Sequence, residues 1–250
     1  MQINCLDHGF VRLLNLSGPT RRNDTPLIDE NGTYTGESTG FIYDADITDI
    51  ANAARISFDN FDAERTREQD LKLCEYLIKN KHTSPWEMIE VWLEMKLPIF
   101  VARQFVRHRT CSINEVSARY STLPAEWYIP ETVGGKSASN KQGQADNLHN
   151  NIQDDFKKSL DAQCKQSYAE YEYFLNSGVA PEHARLFLHV NHYTHWLWKQ
   201  DLHNLMHFLS LRLHEHAQIE ARVYAQAIYD LLKQVLPEAM ELFDKYRRLA

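Results

Sequence analysis

A chain of 250 residues can bury one full hydrophobic core. Its 43% apolar and 24% charged residues exclude a disordered polypeptide, and its net charge of -7 argues against the broad basic face of a nucleic-acid coat protein. No stretch approaches the length of a membrane span, and the four cysteines (Cys5, Cys74, Cys111, Cys164) form no CxxC pair, so neither a disulfide framework nor a thiolate zinc site is indicated. The opening "MQINCLDHGFVRLLNL" lacks the basic start and long apolar run of an export signal, so the expected location is cytoplasmic, with no membrane partner.

In "TREQDLKLCEYLIKNKH", Thr66 and Gln69 have capping-box spacing, and Leu71, Cys74, Leu77 and Ile78 fall on one helical face. The spacing predicts a helix over 66–82. Next, "SPWE" offers Ser84 as an N-cap, Pro85 at the first helical position and Glu87 as reciprocal cap of a short turn. Ile89, Val91, Leu93, Met95 and Leu97 alternate with polar or bulky residues, the period of a strand with one buried face. From Pro98, Ile99, Ala102, Phe105 and Val106 form a helical stripe, with Arg103 and Arg107 one turn apart on another.

"SINE" (Ser112 to Glu115) has capping-box spacing and reads as the start of another short helix. "GGKSASNKQGQADN" is small, polar and aperiodic, so residues of about 131–150 are expected to form a mobile loop. A long helix is predicted from about Asn151 to Asn176, with Gly178 as its C-terminal cap. "PEHARLFL" restarts a helix at Pro181, and 188–198 reads as a second strand. Asp201 is placed as N-cap of a helix buried through Leu202, Leu205, Met206, Leu209 and Leu213. An amphipathic helix over about 217–235 and a short one from Pro237 complete the chain. Strands set among long helices, without a glycine-rich fingerprint, predict a single α+β domain over 1–250, with an antiparallel sheet, long flanking helices and no Rossmann module.

Against this acidic background, four arginines crowd into Arg103 to Arg119, with Glu115 the one carboxylate among them. Arginine is the planar, permanently charged fork that suits phosphates and the carbonyl edges of heterocycles. Cations also favour helix C-termini, so charge alone leaves a solvated helix end as an equal reading.

The surrounding segments resemble the flavin-dependent thymidylate synthases (the ThyX family). Arg107, His108 and Arg109, then seven residues and Ser117, match the RHR-x7-S signature. "HTSPWEM", "PIFVARQFVRHRT", "NEVSARYS" and "DLHNLMHFLSLRLHEHAQIEARVYA" follow that family in the same order, over roughly residues 46 to 235. The resemblance implies a ThyX-like fold, a cytoplasmic homotetramer whose active sites are shared between subunits, FAD as cofactor, NADPH as reductant, methylenetetrahydrofolate as carbon donor and dUMP as acceptor. The product is dTMP, and the folate leaves as tetrahydrofolate.

Position by position, the resemblance implies flavin contacts at Ser84, Arg107, His108, Arg109, Glu115, Asp201, Leu202, His203 and His207, with Ser57 and Glu87 as further cofactor-side positions. It implies nucleotide contacts at Gln104, Phe105, Val106 and Arg107, and from a neighbouring subunit at Glu115, Val116, Ser117, Ala118 and Arg119, with Arg185 in addition. Arg212 takes the position that favours ionisation of the uracil imide, because a fixed cation stabilises the anion and enriches the ring in electrons. The bland reading of Arg212 is an exposed charge on an amphipathic helix, and that of Ser84 and Glu87 is a helix cap. Neither Ser117 nor Cys111 is assigned as a nucleophile: a serine needs an activating base, which no sequence reveals, and hydride delivery requires no covalent enzyme adduct.

Two rival readings follow from composition. His203 and His207 form an H-x-x-x-H pair among twelve histidines, able to bind zinc but lacking the Glu of H-E-x-x-H. The arginines with twelve tyrosines could serve RNA binding, but no basic face or RNA-binding signature supports this, and no metal or nucleic-acid partner is expected.

Overall fold

The computed structural model describes residues 1–19, 44–61, 65–138 and 143–249. In chain order the regular elements are β1 (Gln2–Cys5), β2 (Gly9–Ser17), α1 (Ile47–Arg55), α2 (Arg67–Lys79), β3 (Glu90–Pro98), α3 (Ile99–Phe105), β4 (Ser112–Glu115), β5 (Gly134–Lys136), β6 (Gln144–Asn147), α4 (Asn150–Asn176), α5 (Pro181–Ala184), β7 (Tyr193–Asp201), α6 (Leu202–Arg212), α7 (Ile219–Val235) and α8 (Pro237–Tyr246). Short 3-10 turns lie at Trp86–Met88 and Arg185–Phe187. Helices pack on an antiparallel sheet of order β1-β2-β3-β7-β4, so the α+β expectation holds.

Strand β3 forms as its alternation demands: Val91, Leu93, Met95 and Leu97 are buried, whereas Trp92 between them is exposed. It pairs along its whole length with β7, from Glu90 opposite Asp201 to Pro98 opposite Tyr193. The core beneath this central pair includes Trp196, Trp198, Phe105, Phe208 and Tyr224, each at most 2% exposed.

The helix ends are fixed locally. Thr66 and Gln69 make the reciprocal capping box of α2, and Asp201 accepts from the Asn204 amide at the start of α6, both as predicted. After α4, Gly178 takes φ 86°, a left-handed conformation that a side chain would oppose.

Four expectations are corrected. "SINE" is an edge strand, β4, because its backbone pairs with β7 from Ser112 opposite Lys199 to Glu115 opposite Trp196; ladder bonds outweigh the local capping pattern. Ser84 donates no side-chain cap, and Pro85 stands at the cap position of the 3-10 turn. The second strand begins at Tyr193 and runs to Asp201, three residues past the expected end. The segment expected as an irregular loop carries β5 and β6, paired antiparallel, while 139–142 lie outside the described residues.

Candidate active site

Helices α3 and α6 leave opposite ends of the β3–β7 pair, and their last turns meet. Phe105 on α3 sets its ring edge-on to Phe208 of α6 at 4.8 Å and lies parallel to Trp198 of β7 at 6.0 Å. Burying a phenyl ring of this kind stabilises by about 1.5–3 kcal/mol, which fixes where each helix ends. The segment after α3 then turns back, with the His108 amide donating to the Phe105 carbonyl at 2.9 Å. As a result Arg107, His108 and Arg109 face the C-terminal turn of α6.

Between them lies a cleft of about 350 Å³ lined by Arg107, His108, Arg109, Thr110, Gln200, Asn204, His207, Leu211 and Arg212. Arg212 is half-buried here: its Nε donates to His108 Nε2 at 3.2 Å and Nη2 to the Gln104 carbonyl at 3.4 Å. Burial makes its guanidinium easier to deprotonate than an exposed one, but arginine stays charged. Burial, then the charge of Arg212 and then His207, lowers the His108 pKa from 6.5 to about 4, so the ring is neutral at pH 7. With Nε2 accepting, the ring proton sits on Nδ1. Elsewhere arginines find carboxylates: Arg55 meets Asp70 at 2.5 Å, Arg67 meets Glu238 and Arg12 meets Glu94, both at 2.6 Å. Among the described residues, Arg107, Arg109 and Arg212 form no such ion pair. Three cations around a neutral imidazole, without counter-ions, make a receptor for anionic or carbonyl-rich ligands.

The other expected positions fall into separate groups. Phe105 and Leu202 are wholly buried, so only their backbone is available to a ligand, whereas Gln104 shows its side chain partly and donates from Nε2 to Gln218 Oε1 at 2.5 Å. Val106 is exposed. His203 lies one turn before His207 but faces Arg247, whose Nη1 stands 3.3 Å from His203 Nδ1. Burial first, then Arg247, lowers the His203 pKa. Among the described residues no group of three or more His, Cys, Asp or Glu could hold a metal ion.

Glu115 closes β4 and accepts from the Thr194 hydroxyl at 2.5 Å. The following turn exposes Val116, keeps Ala118 buried and uses the Ser117 hydroxyl to accept the Arg119 amide at 3.2 Å. Arg119 reaches Glu182 at 3.5 Å, on the short helix that leads to the exposed Arg185. Arg119 thus meets the element that precedes Arg185, and neither arginine lines the cleft. Ser57 and Ser84 line a third cavity of about 630 Å³, largely apolar, with Ala54, Phe58, Leu77 and Met88. The Cys111 thiol donates to the His108 carbonyl at 3.0 Å, a packing role that steadies the turn.

Sequence reasoning missed Thr110, Gln200, Asn204 and Leu211 in the cleft. A signal existed for Gln200: continuing the alternation of β7 two residues past buried Trp198 places a carboxamide on the buried face, where polarity is out of pattern.

A helix-flanked antiparallel sheet with an arginine cleft that forms no ion pair among the described residues defines an α+β protein equipped to receive anionic groups. Comparison narrows it. The family model described as "Thymidylate synthase complementing protein" matches residues 43–238. Over 247 residues the chain is 39% identical to a flavin-dependent thymidylate synthase of Gluconobacter oxydans, covering 97% of this chain and 72% of that one. It is 40% identical over 243 residues to one of Wolbachia pipientis wMel, covering 96% and 75%. A UMP/dUMP methylase, PolB, from Streptomyces cacaoi, solved with 5-Br dUMP, matches with TM-score 0.79 at 25% identity over 99% of each chain. The chain belongs to the flavin-dependent thymidylate synthase family.

Proposed function

We propose that this protein methylates dUMP to dTMP, taking the carbon from methylenetetrahydrofolate and the hydride from FAD reduced by NADPH. In this reading it works in the cytoplasm as a homotetramer with active sites shared between subunits. The observation that carries the reading is the convergence of Arg107, Arg109 and Arg212 on neutral His108 without carboxylate partners. These residues suit FAD: the donors match its phosphates and ring carbonyls, and a buried carboxamide oxygen, Gln200 Oε1, has no hydrogen-bond partner among the described residues. Bound FAD would supply the hydride. Arg107, His108, Arg109 and His207 would hold it from the cleft, with Ser84, Glu115, Asp201, Leu202 and His203 as the further contacts of this reading.

Arg212 has the central part. Two of its five N–H donors are committed within the chain, so the rest are available to a ring carbonyl. Its charge, fixed in a partly desolvated site, stabilises negative charge on a pyrimidine imide and thereby activates the ring carbon toward an electrophile. His108 cannot compete for the anion, being neutral. Arg119, Arg185 and the Val116–Ala118 turn offer cations and backbone groups to a nucleotide, and Gln104 a carboxamide. The Ser117 hydroxyl accepts the Arg119 backbone amide, which fits a binding role.

The test is anaerobic reduction of the flavin-loaded protein by NADPH, followed by dUMP and methylenetetrahydrofolate. Formation of dTMP with reoxidised flavin is expected. Colourless protein containing stoichiometric zinc, or reduced flavin indifferent to dUMP and the folate together, would refute the reading.

A further inference from the structure

We propose that Gln200 reads the imide edge of the ring that the cleft receives. Gln200 sits on the buried face of β7, 3% exposed, and lines the cleft with Arg107, Arg109 and Arg212. Its Oε1 is buried and accepts no hydrogen bond from the described residues. The bonds that the neighbouring groups make run elsewhere: one N–H of the Asn204 carboxamide goes to Asp201 Oδ2 at 2.8 Å, and His108 Nε2 accepts from Arg212 Nε. A buried acceptor without a donor is costly, and this one stands where the cleft would bring a ligand.

The arginines have only hydrogens to offer, whereas Gln200 offers a lone pair. Together they complement an edge that alternates carbonyl, N–H, carbonyl. A cyclic imide has that edge, with arginines on the carbonyls and Gln200 Oε1 on the central N–H. The isoalloxazine of a flavin carries it, whereas the uracil of dUMP carries it only while its imide keeps the proton. The inference rests on the function proposed above, and it makes Gln200 a specificity-determining residue of that site.

The test uses ligand-free protein and equilibrium titration with FAD, N3-methyl-FAD, dUMP and N3-methyl-dUMP, for wild type, Gln200→Met and Gln200→Glu. Wild type is expected to prefer one parent over its N3-methyl form by about 5–15-fold, and the ligand showing this identifies the ring. Gln200→Met should lose that preference, while the ligand-free protein melts at or above the wild-type temperature because no amide is left unpaired. Gln200→Glu should retain the preference, since a carboxylate also accepts the N–H. A wild type indifferent to methylation of both ligands, or a Gln200→Met protein that still discriminates, as it would if the methyl merely clashed, would overturn the role of Gln200 alone. Should Gln200→Met fail to fold, Gln200→Leu, which also lacks the acceptor, makes the same comparison. Wild-type protein that binds neither parent would instead overturn the enzyme reading beneath it.

Discussion

Replacing Arg212 with Met should raise the pKa of His108. In the wild type that pKa is about 4, against 6.5 for a free imidazole, with burial the largest cause and Arg212 the second. At 1.36 kcal/mol per pH unit the gap is roughly 3 kcal/mol, reduced to about 1–2 kcal/mol once screening of a half-buried ring is allowed. Two like charges about 4 Å apart repel by about 1 kcal/mol in water and about 4 kcal/mol at an effective dielectric of 20. Because burial leads, the lower figure applies, and the variant should titrate near pH ~5. The sign follows from proton counts: between about 4 and 6.5 the unfolded chain binds the proton that folded His108 refuses. Stability tied to the neutral ring is therefore complete above pH 6.5 and is lost as pH falls toward 4. Titration of the His108 ring resonances by NMR, with urea unfolding at pH 5 and 7, reads both effects. Wild-type His108 titrating near 6.5, or an identical midpoint in Arg212→Met, would refute the reasoning.

Two further outcomes concern the scaffold. Arg55→Met leaves Asp70 with its charge buried and unpaired, their side chains being 10% and 3% exposed in the wild type, and should cost about 3–5 kcal/mol by urea denaturation. A loss below about 1 kcal/mol would show that the pair is solvated in solution. Asp201→Ala removes the cap on the Asn204 amide and the bond to its side chain, and should cost about 1–2 kcal/mol, with Asp201→Ser recovering most of it. No recovery with Ser would assign the loss to something other than the cap.

Local signals carried far in this chain wherever the fold kept to a single period. Thr66 with Gln69, Asp201, and the alternation around Leu93 each specify an element that tertiary packing leaves intact. Strand β2 is harder to read because a register shift between Leu13 and Asn15 breaks the alternation: Val11 and Leu13 are buried, and then Leu16. β4 defeats local reading altogether, since its state depends on β7, which lies some eighty residues later in sequence. The site behaves likewise. The RHR segment stands out by composition, but its meeting with Arg212 depends on Phe105, Trp198 and Phe208 locking two helix ends together, which no one-dimensional pattern contains.

The separation of two arginine groups within one chain bears on how a site could be assembled. Arg107 and Arg212 share the cleft, while Arg119 meets Glu182 on the element that precedes Arg185. Suppose that a nucleotide needs both groups and that each site draws them from different subunits. Mixing then gives a quantitative outcome. Arg212→Ala and Arg119→Ala proteins should each be inactive, since each lacks one half of every site. Co-refolded in equal amounts, they pair an intact cleft from one chain with an intact turn from the other in roughly a quarter of the sites. Activity near a quarter of wild type, appearing only after unfolding and joint refolding, is therefore expected. Mixtures that stay inactive, although mass spectrometry shows hybrid oligomers, would mean that every site is built from one chain, and the shared-site assembly would have to be given up.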